Sequence, residues 1–317
     1  MSCPELRGAL SAWALEEPLE ISEAVGGATH RVYRVAGPGP DRFLRVYKRP
    51  DPALAAREHA LIHHVRRRGL PAVLPLQARH GDSVVVHEGA VYALYEAARG
   101  VQVPRASLTE PRARAAGELL ARLHGVLREL PDEGYVRWQL SWDGPAWVER
   151  LNAVERALLA RGLRSETDDW ALRRLRAQRS WLAEAACPQT YTPSCPAQLI
   201  HGDYQAANLF FEADAVSAVI DWDQAAFMPP AYEVARACGF MFQLAPGPTR
   251  AFIDAYVAVS GMGPAELADG GRAWGCFADH HVWPIEEVYL HGNERARHYI
   301  PHVPFEPFLR AWSEILK

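Results

Sequence analysis

The sequence has little cysteine: five residues in 317, and no CxxC pair. Cys3, Cys187, Cys195, Cys238 and Cys276 are odd in number and scattered, which fits reduced thiols in the cytoplasm better than a disulfide framework. The chain also lacks a surplus of either charge. Its 34 Lys and Arg residues face 38 Asp and Glu, a formal net charge of −4, so no strongly basic nucleic-acid surface is expected. No apolar run reaches transmembrane length, and the opening MSCPELRGALSAWALEEP has no basic segment ahead of an apolar stretch. These absences predict a cytoplasmic protein with neither a membrane nor a nucleic acid as partner. Internal repeats and low-complexity tracts are absent as well.

What is present is apolar material, 49% of the chain, enough for a large core in a length that suggests two lobes. Residues 29–35 (THRVYRV) and 42–48 (RFLRVYK) alternate β-branched or aromatic residues with polar ones around AGPGPD, the pattern of a hairpin. A helix is expected over 52–68, followed by a second hairpin of 83–88 and 91–96 around Gly89. After EAARG at 96–100 the character turns helical. Ser107 or Thr109 can cap a helix opened by Glu110 and Pro111 and running to about Leu127. Further helices are expected at 145–162, 167–186, 230–244, 249–259, 272–290 and 305–316, with an interruption at 188–196.

One hairpin breaks the helical half: LFFE at 209–212 and VSAVI at 216–220 around ADA. It follows HGDYQAANLF at 201–210. If its turn centres near Asp214, residues 207–208 lie opposite 220–221, and Asn208 and Asp221 come within roughly 5 Å. Such a hard-oxygen pair suits Mg2+, while Asp203, on the loop before the hairpin, is placed to orient a hydroxyl and accept its proton.

The run HGDYQAANLFFEADAVSAVIDWD, an H-x-D-x-x-x-x-N loop followed by two strands and I-D-x-D, resembles the aminoglycoside phosphotransferase and choline kinase group, small-molecule relatives of protein kinases. The resemblance spans about residues 20–245 and is strongest at 199–224. It implies an α+β, bilobal, protein-kinase-like fold, with a mainly β nucleotide-binding lobe over 1–98 and a mainly helical lobe over 99–317 that selects the acceptor. It implies an enzyme moving the ATP γ-phosphoryl group, with Mg2+, to a hydroxyl of an amino alcohol, homoserine, sugar or aminoglycoside-like acceptor. By the same resemblance Asp203 is the catalytic-loop acid, Asn208 that loop's metal ligand and Asp221 the principal metal-binding acid. His201 is expected to buttress the loop, and Asp223 to be a capping or loop residue.

The N-terminal half offers matching parts. Gly26 and Gly27 in VGGATHRVYRV can let backbone N–H groups approach phosphate oxygens. On the helix at 52–68, Leu54, Glu58, Leu61, Ile62 and Val65 share one face, so Glu58 needs a cation as that face packs on the sheet. Arg45 or Lys48 could supply it, but they point to opposite faces of RFLRVYK. The resemblance favours Arg45, in a place where relatives commonly carry Lys. It also makes LYEAARG at 94–100 a hinge, with backbone groups near Glu96–Ala98 meeting the adenine edge. A protein-kinase reading would require a longer segment between IDWD and the helix near 233, and a scaffold reading would tolerate loss of Asp203 or Asn208. In the last section His280, His281, Glu286, Glu287 and His291 do not form an HExxH metal pattern. Trp274, Trp283, Tyr289 and the two glutamates could instead contact an amine-bearing substrate.

Overall fold

The computed structural model describes residues 3–24, 30–137, 140–141, 144–184, 190–192 and 194–317. Strands β1 (Glu20–Glu23), β2 (Arg31–Ala36), β3 (Arg42–Val46), β4 (Val85–His87) and β5 (Ala90–Glu96) make one five-stranded antiparallel sheet in the order β1-β2-β3-β5-β4. Both expected hairpins form. The β4–β5 turn has φ of 49° at Glu88 and 77° at Gly89, the doubly positive pattern that matches strand twist in a tight hairpin. Strand β1 and helix α1 (Cys3–Leu10) were not signalled by periodicity. EISE carries no apolar alternation because β1 is an edge strand held through its backbone, Glu20 opposite Ala36 and Glu23 opposite Tyr33. Helix α1 is short, and places Leu6, Ala9 and Leu10 with Trp13 against Tyr33, Val35 and Leu44 of the sheet.

Helix α2 (Pro52–Arg67) is capped by Asp51, whose side chain accepts from the N–H groups of Ala53 (2.9 Å) and Leu54 (3.3 Å). Its buried stripe carries Ala55, Glu58, Leu61, Ile62 and Val65. Leu54 does not join it: that side chain is 43% exposed, because the stripe runs 55–58–62–65 and position 54 falls at its edge in the capped first turn.

Beyond the sheet, helix α3 (Glu110–Leu127) packs against α7 (Pro246–Ser260), and α6 (Pro230–Phe242) against α8 (Pro264–His280). Short strands lie among them: β6 (Val101–Gln102), β7 (Val136–Arg137), β8 (Leu140–Ser141), β9 (Thr190–Tyr191), β10 (Gln198–Ile200), β11 (Leu209–Glu212), β12 (Ala215–Val219) and β13 (Ala226–Met228). Helices α4 (Gly144–Arg161), α5 (Glu166–Glu184), α9 (Trp283–Tyr289) and α10 (Phe308–Ile315) complete the described elements. One core runs through Leu120, Leu199, Tyr204, Trp222, Tyr232, Phe252 and Trp312, and a second joins α4, α5 and α9 through Val154, Leu175 and Ile285.

The helix expected over 272–290 is two. It begins earlier, at Pro264, where Glu266 turns back to accept the Gly263 N–H at 2.9 Å. It ends at His280, and Pro284 opens α9, since proline disfavours helical geometry in the residue before it and is best placed in a first turn. The interruption expected at 188–196 lies partly outside the described residues, as do Cys187 and the side chain of Cys3; Cys195 and Cys238 are free thiols. No helix among the described residues is long and apolar enough to cross a membrane.

Candidate active site

The loop between β10 and β11 is fixed from three sides. Gly202 has φ of 82°, and a Cβ there would stand 2.0 Å from the Gln224 carbonyl oxygen, so glycine alone closes the turn. His201 is fully buried; its Nδ1 accepts from the Asp203 N–H (3.2 Å), which leaves Nε2–H to donate to the Ile220 carbonyl (3.1 Å). Its expected buttressing role is therefore the geometry found. Glu233, on α6 and 0% exposed, accepts from the backbone N–H groups of His201 (3.0 Å) and Gly202 (2.6 Å) and from His124 Nε2 (2.9 Å). Burial alone would raise its pKa, but the hydrogen bond and charge of His124 outweigh it and hold the carboxyl below its ordinary value. Sequence reasoning missed Glu233, although an acid inside the apolar helix PAYEVARACGFMF is the same signal that drew attention to Glu58.

Within this frame Asp203 is drawn on by three side chains. Gln205 Nε2 donates to both its oxygens (2.9 and 3.0 Å), Asn208 Nδ2 to Oδ2 (2.8 Å) and to the Asp203 carbonyl (2.8 Å), and Arg236 Nη2 to Oδ1. The β11–β12 hairpin pairs Leu209 with Val219, and Ile220 N–H donates to the Asn208 carbonyl at 3.0 Å. Asp221 follows at φ 64°, leaving the ladder.

Arg45 spans the cleft. Its Nη1 donates to Glu58 Oε1 (2.8 Å) and its Nη2 to Asp221 Oδ1 (3.0 Å), with Asp223 Oδ2 at 3.4 Å. The side chain is 9% exposed, while Lys48 is exposed; β3 ends at Val46, two residues short of the expected strand, so Lys48 lies in the bend that follows rather than on the ladder. Burial would lower the proton affinity of Arg45; the facing Glu58 and Asp221 outweigh it and raise it, so the guanidinium stays charged. The second Glu58 oxygen accepts from Tyr47 OH at 3.1 Å, and Tyr47, His59 and Tyr95 form a buried polar cluster behind it. Asp223 is more than a cap or loop residue. His30 Nδ1 accepts from the Lys48 N–H (3.2 Å), so its Nε2–H donates to Asp223 Oδ2 (2.8 Å), tying the end of the glycine segment to the helical side.

Gly26 and Gly27 lie outside the described residues. Glu96 is bound in place: its N–H donates to the Leu74 carbonyl (3.2 Å) and its Oε1 accepts from the Leu74 N–H (3.3 Å). Ala98 is half-buried and its backbone groups make no hydrogen bond among the described residues, so its polar edge is available. Of the residues expected to meet an amine, Trp283 is half-buried with its ring 5.7 Å from that of Tyr299, and the others are engaged elsewhere. Trp274 and Tyr289 are each 4% exposed, Glu286 pairs with Arg150, and Glu287 is held by Asn293 (2.8 Å) and His291 (3.1 Å).

A divalent cation fits the donor set beside Asp203. Asn208 spends its amide N–H groups on Asp203, leaving Oδ1 as an acceptor. Burial raises the pKa of Asp221; Arg45 opposes the rise, while Asp223 and Asp203 add to it, and added positive charge would relieve this crowding. Among the described residues no three His, Cys, Asp or Glu side chains converge on a metal position. A cation held here thus needs further oxygens from phosphate, the usual manner of Mg2+.

Asp203, held by Gln205, Asn208 and Arg236, thus lies on the helical side, and Arg45 bridges Glu58 of α2 to Asp221 across from the sheet. The family model described as "Phosphotransferase enzyme family" matches residues 20–269, and the chain belongs to that family. It is 28% identical to a homoserine kinase of Allorhizobium ampelinum over 225 residues, which is 66% of this chain and 61% of that protein. The chain thus spans less than two thirds of that relative's length. In fold it is similar to the amicoumacin kinase hAmiN, solved with AMP-PNP, Ca2+ and Ami (TM-score 0.62, 14% identity, 96% of this chain and 95% of that one). It is also similar to the spectinomycin phosphotransferase APH(9)-Ia, solved with ADP and spectinomycin (TM-score 0.60, 12% identity, 99% and 98%). The fold is accordingly α+β, bilobal and protein-kinase-like.

Proposed function

We propose that the protein transfers the γ-phosphoryl group of ATP to a hydroxyl of a small molecule. The observation that carries this reading is the assembly of Asp203, Asn208, Asp221, Arg45 and Glu58 at one cleft from distant parts of the chain. Residues 1–98 form the nucleotide-binding lobe and 99–317 the lobe with the catalytic loop and acceptor side. The N–H and C=O groups near Glu96–Ala98 meet the adenine edge, and Gly26 and Gly27 cover the phosphates. Arg45, oriented by Glu58, binds phosphate oxygens. Asn208 Oδ1 and the Asp221 carboxylate hold Mg2+, which supplies charge neutralisation at the phosphates when bound. Asp203 orients the acceptor hydroxyl and receives its proton as the acceptor oxygen bonds to the γ-phosphorus and the bond to the β–γ bridging oxygen breaks, releasing ADP.

The relatives support nucleotide and divalent-cation use, since one of them is solved with AMP-PNP and Ca2+ and another with ADP. Only residues 224–229 separate Asp223 from α6, too little for a long regulated segment, which favours a small acceptor over a protein. The test is incubation of the purified protein with a metabolite pool, ATP and Mg2+, read by mass spectrometry for a phosphorylated product. No ATP-dependent product from any pool would overturn the reading.

A further inference from the structure

Arg236 stands three residues after Glu233 on α6, on the face that holds the catalytic loop. Its terminal nitrogen Nη2 donates to Asp203 Oδ1, but Nη1 is buried without a hydrogen-bond partner among the described residues. A buried guanidinium N–H left unpaired costs free energy, so an acceptor oxygen brought to Nη1 would be stabilised there. The group is held flat by aromatic rings, 4.6 Å from the Phe240 centroid and 5.7 Å from that of Trp274. Trp274 stacks on Phe277 at 5.1 Å, and Phe277 meets the His281 ring at 5.3 Å, so an aromatic wall leads away from Asp203.

Arg236 meets the Asp203 carboxylate at one end of this wall. Arg174 lies over the Phe305 ring at 5.3 Å. Burial first, then Arg236 and Arg174, push the His281 pKa down to about 4. The nearby Asp279 has its carboxylate oxygens engaged by Trp181 Nε1 (3.0 Å) and the Phe308 N–H (3.0 Å). Asp203 itself already serves as a carboxylate on one arm of the Arg236 fork. A second carboxylate on the other arm completes the geometry that a guanidinium offers.

We infer that Arg236 is the acceptor-anchoring residue, and that the acceptor is a small hydroxylated carboxylate whose anionic group binds Arg236 Nη1 while its hydroxyl lies at Asp203. This rests on the phosphotransferase reading and narrows its acceptor to an acid, against a polycationic one. Arg236 also positions Asp203, so loss of turnover alone would not distinguish anchoring from positioning.

The test therefore reads binding and turnover separately. ω-Hydroxy acids from glycolate to 5-hydroxypentanoate, with L-homoserine, their primary amides, and kanamycin as a polycation are titrated into the full chain at constant ionic strength, followed by tryptophan fluorescence. At least one acid should bind about tenfold or more tighter than its amide, as expected for loss of a charge-assisted hydrogen bond. Arg236→Gln should bring acid and amide level, and Arg236→Lys should restore part of the difference. In turnover, Arg236→Gln should raise KM for the acid far more than for the amide, whatever happens to kcat. Equal binding of every acid and its amide, tighter binding of kanamycin, or an acid-to-amide ratio unmoved by Arg236→Gln would overturn the inference. Selective acid binding without ATP-dependent product from any acceptor would leave the anion site standing and remove the phosphotransferase reading instead.

Discussion

Arg45 and Asp221 are 176 residues apart in the chain and joined by a 3.0 Å hydrogen bond in the fold, while the other arm of the same guanidinium holds Glu58. One cation thus links the sheet, α2 and the strand exit that carries the metal-ligand candidate. Arg45→Ala should destabilise the fold by about 3–5 kcal/mol, since it leaves the buried Glu58 without its counter-charge. It should also raise the KM for ATP. Arg45→Lys should recover part of both, and Lys48→Ala should change neither. Denaturant unfolding and ATP titration of the single variants check this; a normal Arg45→Ala enzyme would remove Arg45 from the phosphate site.

Asp203→Asn keeps the shape of the loop but loses the proton acceptor, so phosphoryl transfer should fall roughly 10²–10⁴-fold while nucleotide binding survives. Single-turnover measurement with folding confirmed by circular dichroism decides it. A near-wild-type rate would place the base elsewhere.

Asn208→Ala and Asp221→Ala should each weaken binding of ATP in the presence of Mg2+, with the larger loss at Asp221 because it carries charge. Calorimetry with and without Mg2+ is the measurement. Unchanged affinity in both variants would exclude this oxygen pair as the metal site.

His59, 2% exposed, gives the fold a pH dependence. Burial, aided by Arg45 and His63, lowers its pKa from 6.5 to about 4. Between those values the unfolded chain binds a proton that the folded one refuses, so stability is full above pH 6.5 and declines as pH falls toward 4. The loss amounts to about 3 kcal/mol on the scale of 1.36 kcal/mol per pKa unit. Unfolding free energies across this window should show a shallower acid slope for His59→Gln than for the wild type, and identical slopes would refute the assignment.

Glu233→Ala should cost about 3–5 kcal/mol, because it leaves His124 and two buried backbone N–H groups without their acceptor. Glu233→Gln, which keeps an oxygen, should cost less. Thermal unfolding of the two variants tests the order.

The expectations that hold best rest on periodicity and on fixed spacing within one segment. Alternation along β3 gives Arg45 a fixed face, and the three- and four-residue spacing on α2 puts Glu58 among apolar residues, so their pairing follows once the helix packs on the sheet, whereas Lys48 falls past the end of the strand. The run from His201 to Asp221 is likewise local: a loop, two short strands and a turn, whose register brings Asn208 beside Ile220, with Asp221 one residue further on at φ 64° and off the ladder rather than across it from Asn208 as expected. Backbone geometry over a score of residues is written into such a stretch. The edge strand β1 was not legible, since its partners are backbone groups that any sequence offers.

Tertiary structure alone decided which distant side chains share the site. Nothing near His30 announces Asp223, 193 residues on, and Arg236 reaches Asp203 only because α6 is docked beneath the loop after β10 through Glu233. Trp274 and Tyr289, expected as contacts for an amine, are spent on packing because their helices turn those faces inward. The physical reason is the same in each case. The sequence determines which side chains lie on one face of one element, through the 3.6 and 2.0 residue periods, whereas the partner across a gap depends on how separate elements stack, which many residues of two cores settle together.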